Sequence, residues 1–250
     1  MKKILATAVI PAKEESQTIQ FVVEGALKFV EEVIVVVSSQ DTETILQIEK
    51  TNASICICNE PGKGTAMRAG ALASSFDLIV FLDADGSHDP RQIPSLLAPI
   101  LQGDADHVAG SRMLGGSSEL FYTMSEFLRL IGNHIITLAL NYKFKVRLTD
   151  SQNGFRAIRK EVFLSLNTSS VHSTIEQEIT TKSLKYGVLM MELPTHEYAR
   201  FAGKSKISTF RDGYKHLLML AKNLFLESNS KNCANVIDLE RSRKYFGTWH

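Results

Sequence analysis

Cysteine is scarce in this chain of 250 residues, which holds only Cys56, Cys58 and Cys233. An odd count argues against a disulfide framework, and without a second spaced pair there is no zinc-type pattern. Cys56 and Cys58 alternate in the run ICIC, which reads as two small buried hydrophobes on one face of a strand. A reduced, cytoplasmic setting follows. Charge of one sign is lacking too. Lys and Arg number 28, Asp and Glu 27, for a net charge of +1. That balance lacks the basic footprint of nucleic-acid binding, so no nucleic-acid partner is expected. No run approaches the roughly 18 uncharged apolar residues of a membrane span. The apolar run after Met1-Lys2-Lys3 is interrupted by Pro11 and Lys13-Glu14-Glu15, which does not read as a signal peptide. Any membrane contact is expected to be peripheral, on the cytoplasmic face.

What is present is the patterning of an ordinary globular protein, 44% hydrophobic and 22% charged. Ile4 to Ile10, Val33 to Val37, Ile55 to Cys58 and Leu78 to Leu82 are apolar runs that read as buried strands. Between them fall helical segments: Ile19 to Val30 with Ser16 or Thr18 as N-cap, Ile45 to Lys50, and Gly62 to Ala73. Strands apolar on both faces and separated by helices predict an α/β fold, a Rossmann-like, mostly parallel central sheet flanked by helices. Further on, Val108-Ala109 and Leu189 to Leu193 read as strands, and Glu119 to Asn141 and Tyr214 to Leu226 as helices. One domain is expected over residues 1–226, its halves about 1–112 and 113–226. Residues 227–250 form a polar tail expected to be loosely held.

The unusual polar clusters sit at the carboxyl ends of the predicted strands, where ligands bind in such sheets. In FLDADGSHDP, Asp83 and Asp85 alternate at a strand end and can aim two carboxylates at one hard cation, Mg2+ or Mn2+. Taken alone, the pattern fits a solvated Asp-Gly turn equally well. It is not a calcium loop, because the glycine and glutamate positions of that motif hold His88 and Pro94. In NEPGKGTAMRAG, Gly62 and Gly64 flank Lys63 at a helix start, which favours a phosphate or simply a tight connection. The P-loop spacing is missing. Arg112, Arg156, Arg200, Lys204 and Lys206 are cations of the kind that steady a diphosphate, and each alone is equally a surface charge.

Taken in order, VIPAKEES, GKGTAMRAG, FLDADGSHDP, AGSR, LTDSQNGFRA, IEQEI and RFAGKSK resemble the motif series of glycosyltransferase family 2. They are most similar to its dolichyl- and polyprenyl-phosphate sugar transferases, over roughly residues 4 to 210. The resemblance implies a GT-A type nucleotide-sugar-binding domain. It implies that Pro11, Ala12, Glu14, Lys63, Asp83, Ala84 and Asp85 bind the donor nucleotide, with the metal on Asp83 and Asp85. It places Arg112, Arg156, Arg200, Lys204 and Lys206 near the donor diphosphate or acceptor phosphate, and Glu176 and Glu178 near the acceptor. Asp85, Arg112 and Glu178 are the catalytic candidates.

The implied reaction moves a hexose, with inversion, from a GDP- or UDP-hexose to polyprenyl phosphate. That acceptor is already anionic and needs cations more than a general base. Two departures matter. Where the family carries an acidic turn after the second strand, this chain has Ser38 and Ser39 with Asp41 displaced, and Ser87 follows the aspartate pair. The base is therefore not legible. A transferase with a soluble acceptor is the alternative. A sugar-1-phosphate nucleotidyltransferase would need a glycine-rich loop that VIPAKEES lacks.

Overall fold

A computed structural model of the chain describes residues 2–118 and 124–201, together with Met219 and Tyr245. Phe121 and Tyr122, Lys204 and Lys206, the segment Tyr214 to Leu226 apart from Met219, and the tail apart from Tyr245 lie outside the described residues.

The apolar runs form strands β1 Ile4–Pro11, β2 Val30–Val37, β3 Ser54–Ile57 and β4 Leu78–Phe81. Later come β5 His107–Ser111, β6 Arg156–Arg159 and β7 Met190–Pro194. They build one seven-stranded sheet in the order β3-β2-β1-β4-β6-β5-β7. Its pairings are parallel except at β6, which runs against both β4 and β5. The reversal brings the start of β6 to the carboxyl edge: Arg156 stands opposite Phe81 on one side and Ala109 on the other.

Helices α1 Ile19–Ala26, α2 Thr42–Ile48, α3 Lys63–Ala73 and α4 Ile93–Leu101 connect the first five strands. Then follow the short α5 Arg112–Gly115, the long α6 Met124–Phe144, α7 Lys160–Ser165 and α8 Ile175–Lys185. Two apolar layers cover the sheet. One gathers Ile10, Val35, Val80 and Leu82 with Ile19 and Val23 of α1 and Leu97 of α4. The other gathers Val9, Val36 and Phe81 with Met67 of α3 and Ile179 of α8. Cys56 and Cys58 are only half-buried against the second layer, and Cys58 lies just past the end of β3. Tyr245 is buried in the first layer, and its hydroxyl donates to Gln102 and Asp104.

Thr18 is the N-cap of α1, but its hydroxyl makes no capping bond; it donates to the Ala84 carbonyl at 2.7 Å. This ties α1 to the loop after β4. Helix α6 buries Ile136 and Leu140 and exposes Phe127, Ile131, Ile135, Leu138 and Tyr142. Among the described residues, no helix is long and apolar enough to cross a membrane.

Candidate active site

The carboxyl edge of the sheet gathers most of the charged residues singled out above. β4 ends at Phe81, and the chain then turns through Asp83-Ala84-Asp85-Gly86. Gly86 takes φ +79°, a left-handed conformation that suits glycine. The turn is braced from within: Asp83 N donates to His88 Nδ1 at 3.1 Å, and Ser87 N donates to Asp85 Oδ1 at 3.0 Å. The His88 ring stacks on Phe155, with centroids 4.9 Å apart.

Each aspartate carries a protein cation. Lys63, the first residue of α3, places Nζ 2.5 Å from Asp83 Oδ1 and 2.7 Å from Glu176 Oε1. Three glycines make this possible. A side chain on Gly62 or Gly64 would run into the backbone of Val171 or Ser170, and a Cβ on Gly154 would sit 2.9 Å from Lys63 Nζ. Burial raises the Asp83 pKa, but Lys63, His88 and Arg200 outweigh it and hold the carboxyl well below the ordinary range. Lys63 is held in its charged form by the same pairing with Asp83 and Glu176.

Arg200 supplies the second cation, with Nη2 2.9 Å from Asp85 Oδ2. Its segment crosses the aspartate turn like a strap. Tyr198 N donates to Ser87 O at 2.9 Å and Phe201 N to Asp85 O at 3.2 Å. The Phe201 ring stacks on Phe21 of α1 at 6.0 Å.

Beside the turn, Arg112 opens α5 at the end of β5. Asp150 Oδ2 accepts from its Nε at 2.6 Å, Asp150 Oδ1 from its Nη2 at 3.0 Å, and Glu197 Oε1 from its Nη1 at 3.4 Å. Breaking such a buried pair by removing one partner costs about 3–5 kcal/mol. A narrow cavity between Arg112, Asn133, His134, Thr137, Thr149 and Asp150 encloses about 10 Å3, room for one water at most.

The remaining candidates are placed differently. Arg156 is fully buried and donates to the carbonyls of Asn153 and Glu176; burial draws its pKa down to about 10 against the pull of nearby carboxylates. Ala12 N donates to Val36 O at the end of β1. Glu14 follows with φ +52°, and its N–H donates to Asp41 Oδ2 at 2.5 Å. Asp41, displaced in sequence, thus returns to the same edge and also caps α2 through Thr44 N. Glu178 is turned elsewhere. It accepts from Ser169 N and Ser170 N and pairs with Lys182 at 2.8 Å, and despite its burial these contacts lower its pKa to about 2. Of the two acids in α8, it is Glu176 that joins the Lys63–Asp83 cluster.

Reading the sequence missed Asp150, Glu192 and Glu197. Asp150 lies inside a motif that was singled out, LTDSQNGFRA, so its position was visible although its role was not. Among the described residues no group of three or more His, Cys, Asp or Glu side chains could hold a metal. The donor set at Asp83 and Asp85 still fits a hard divalent cation of the kind bound by one or two carboxylates and completed by substrate phosphates.

A mostly parallel sheet with paired carboxylates at its carboxyl edge and cations around them forms the candidate active site. Residues 7–166 match Glycosyl transferase family 2, and the chain belongs to that family of glycosyltransferases. It is 32% identical over 156 residues to the undecaprenyl-phosphate mannosyltransferase of Micrococcus luteus, covering 59% of this chain and 61% of that protein. It is 27% identical over 192 residues to the low-salt glycan biosynthesis hexosyltransferase Agl6 of Haloferax volcanii, covering 76% of this chain and 45% of that protein. The chain therefore spans less than two thirds of both relatives. The glucosyl-3-phosphoglycerate synthase of Mycobacterium tuberculosis, solved with Mn2+, UDP and glucosyl-3-phosphoglycerate, superposes with a TM-score of 0.71 at 19% identity. That match covers 88% of this chain and 80% of the synthase, and it establishes the GT-A fold.

Proposed function

We propose that this glycosyltransferase moves a hexose, with inversion at the anomeric carbon, from a GDP- or UDP-hexose to polyprenyl phosphate, using Mg2+ or Mn2+. The observation that carries the reading is the pair of charge clusters linked through the strap. Asp83 and Asp85 with Lys63 and Arg200 form one, Arg112 forms the other, and Glu197 at the strap's start contacts Arg112. The names of the Micrococcus luteus mannosyltransferase and of the polyprenol monophosphomannose synthase of Mycolicibacterium smegmatis support the acceptor class.

In this reading Pro11, Ala12 and Glu14 line the nucleotide, and Ala84 with its neighbours faces the diphosphate. Asp83 and Asp85 would hold the cation, which would supply charge neutralisation for the departing diphosphate. Arg200, with Lys204 and Lys206, exchanges its aspartate contact for the diphosphate oxygens. Arg112 takes the acceptor phosphate, and Glu197, the more distant of its two carboxylate partners, is the one a phosphate displaces. Arg156 is buried beneath the site and acts through its field. An anionic acceptor oxygen needs no general base. This agrees with Glu178 being engaged by Ser169, Ser170 and Lys182, since a hydroxyl acceptor would need a carboxylate free to act as general base. The exposed apolar residues of α6, with exposed Lys145 and Arg147 beyond its end, support a peripheral contact with anionic lipid.

The test of the donor half is thermal stabilisation by GDP-, UDP- and CDP-hexoses with and without Mn2+. One base should raise the melting temperature, and only with the metal present. No shift with any of them would sink the reading.

A further inference from the structure

Behind the Arg112–Asp150 pair lies an acid that no motif marks. Glu192 lies buried in β7, where its register partner on β5 is Ala109. Its Oε2 accepts from Thr149 N at 2.7 Å and from Thr149 Oγ1 at 3.0 Å, and its Oε1 accepts from Asp150 N at 2.9 Å. The Thr149 hydroxyl also meets Ser111 Oγ at 2.6 Å. One carboxylate thus grips the two residues that present Asp150, and Asp150 in turn accepts from Nε, Nη2 and the backbone N of Arg112.

We propose that Glu192 is a positioning residue: it fixes the Thr149–Asp150 segment so that Asp150 holds the Arg112 guanidinium in place for an acceptor phosphate. The proposal rests on the phosphate-binding role of Arg112 given above.

The chemistry asks for an ionised acid. Donors reach both oxygens, and an amide at this position would turn an N–H against a backbone N–H. Plain stability would not select it. Burial pushes the Glu192 carboxyl up to about 7 in spite of its three donors, with Asp150 adding to the rise. An acid whose folded pKa exceeds its unfolded value costs stability as pH rises through that window. The charged groups acting around it are Asp150 of the loop and Arg156 of β6, and Arg112 lies beyond Asp150.

The test reads Arg112 directly. Side-chain nitrogen–proton spectra of its Nε–H, assigned with Arg112→Lys, are recorded across neutral pH without substrate. In the unaltered protein the signal should titrate with a midpoint of about 7. Glu192→Gln should abolish that titration and speed hydrogen exchange at Nε by about tenfold, the worth of one hydrogen bond. Thr149→Val, which removes one of the three donors and keeps the acid, should move the signal part of the way. If Glu192→Gln does not fold, Thr149→Val and the titration of the unaltered protein carry the test. An Arg112 signal indifferent to pH and to every folded variant overturns the proposal.

Kinetics separate this from the reading beneath it. Glu192→Gln should raise KM for undecaprenyl phosphate about tenfold while donor hydrolysis without acceptor is unchanged. If Arg112→Lys itself leaves that KM unchanged, the acceptor role of Arg112 falls, and with it the purpose given to Glu192. If Arg112→Lys is crippling and the Glu192 and Thr149 variants are silent, only the part given to Glu192 falls.

Discussion

Lys63 Nζ stands 2.5 Å from Asp83 Oδ1 in space that exists because residue 154 is glycine. Helix α3, the turn after β4, the loop before β6 and Glu176 of α8 thereby meet at one charge cluster. Substituting Gly154→Ala tests it sharply. Gly154 does not take a positive φ, so alanine adds a Cβ without backbone strain, and that Cβ meets Lys63 Nζ at 2.9 Å and Asp83 Oδ2 at 3.2 Å. The expected result is a folded protein whose kcat/KM falls by at least about tenfold through a small displacement of the pair. Unchanged kinetics would show that the close packing of residue 154 on this pair has no part in the reaction.

Metal binding should depend on the donor. Asp83 and Asp85 already carry Lys63 and Arg200, and two carboxylates leave most of a cation's shell to phosphate oxygens. Calorimetry should find weak Mn2+ binding to the protein alone, tightened about tenfold or more by the matching nucleoside diphosphate. Arg200→Ala should strengthen Mn2+ binding in the absence of nucleotide, because one competitor for Asp85 is gone. Tight binding to the unaltered protein alone, indifferent to nucleotide, would contradict this.

Glu178 sets a pH dependence of stability. Its folded pKa, about 2, lies below the ordinary 4.5, because Lys182 and the Ser169 and Ser170 amides favour the carboxylate against the opposing effect of burial. The stability it contributes is fully present above 4.5 and is lost as pH falls toward 2. Glu178→Gln should therefore cost about 2 kcal/mol near neutrality, and the deficit should shrink below pH 4.5. Denaturant unfolding at several pH values checks it, and a deficit constant with pH would refute the assignment.

The outer face of α6 makes a separate claim. Ile135 and Leu138 are more than half exposed, at 52% and 64%. The double change Ile135→Glu, Leu138→Glu should leave the fold intact and reduce co-sedimentation with vesicles containing anionic phospholipid. Equal sedimentation, or none for the unaltered protein, would remove lipid contact through this helix.

The residues that announced themselves were those with one dominant reason to be where they are. β1, β2 and β4 read plainly because both faces are covered and nearly every residue is apolar. β6 did not, since Arg156-Ala157-Ile158-Arg159 is short, charged and paired against the direction of its neighbours. Helix α8 hid for another reason. Glu176, Gln177, Glu178, Thr180, Thr181 and Ser183 are all buried, so polar residues line its inner faces and no apolar stripe appears. In the site, Asp83 and Asp85 were legible from their spacing at a strand end. The partners of Lys63 were not, because Asp83 and Glu176 arrive from distant parts of the chain. Glu192 was invisible: a single acid in Met190-Met191-Glu192-Leu193 carries no sign that it serves Arg112.

The most direct measurement is transfer itself. Purified protein is given labelled GDP-mannose or UDP-glucose, Mn2+ and undecaprenyl phosphate in detergent, with soluble sugar acceptors in parallel, and the products are partitioned into organic solvent. The account predicts label in the organic phase with one donor, dependent on both lipid phosphate and metal, and lost in Asp85→Asn. Label confined to soluble products, or an Asp85→Asn enzyme as active as the unaltered one, would contradict it.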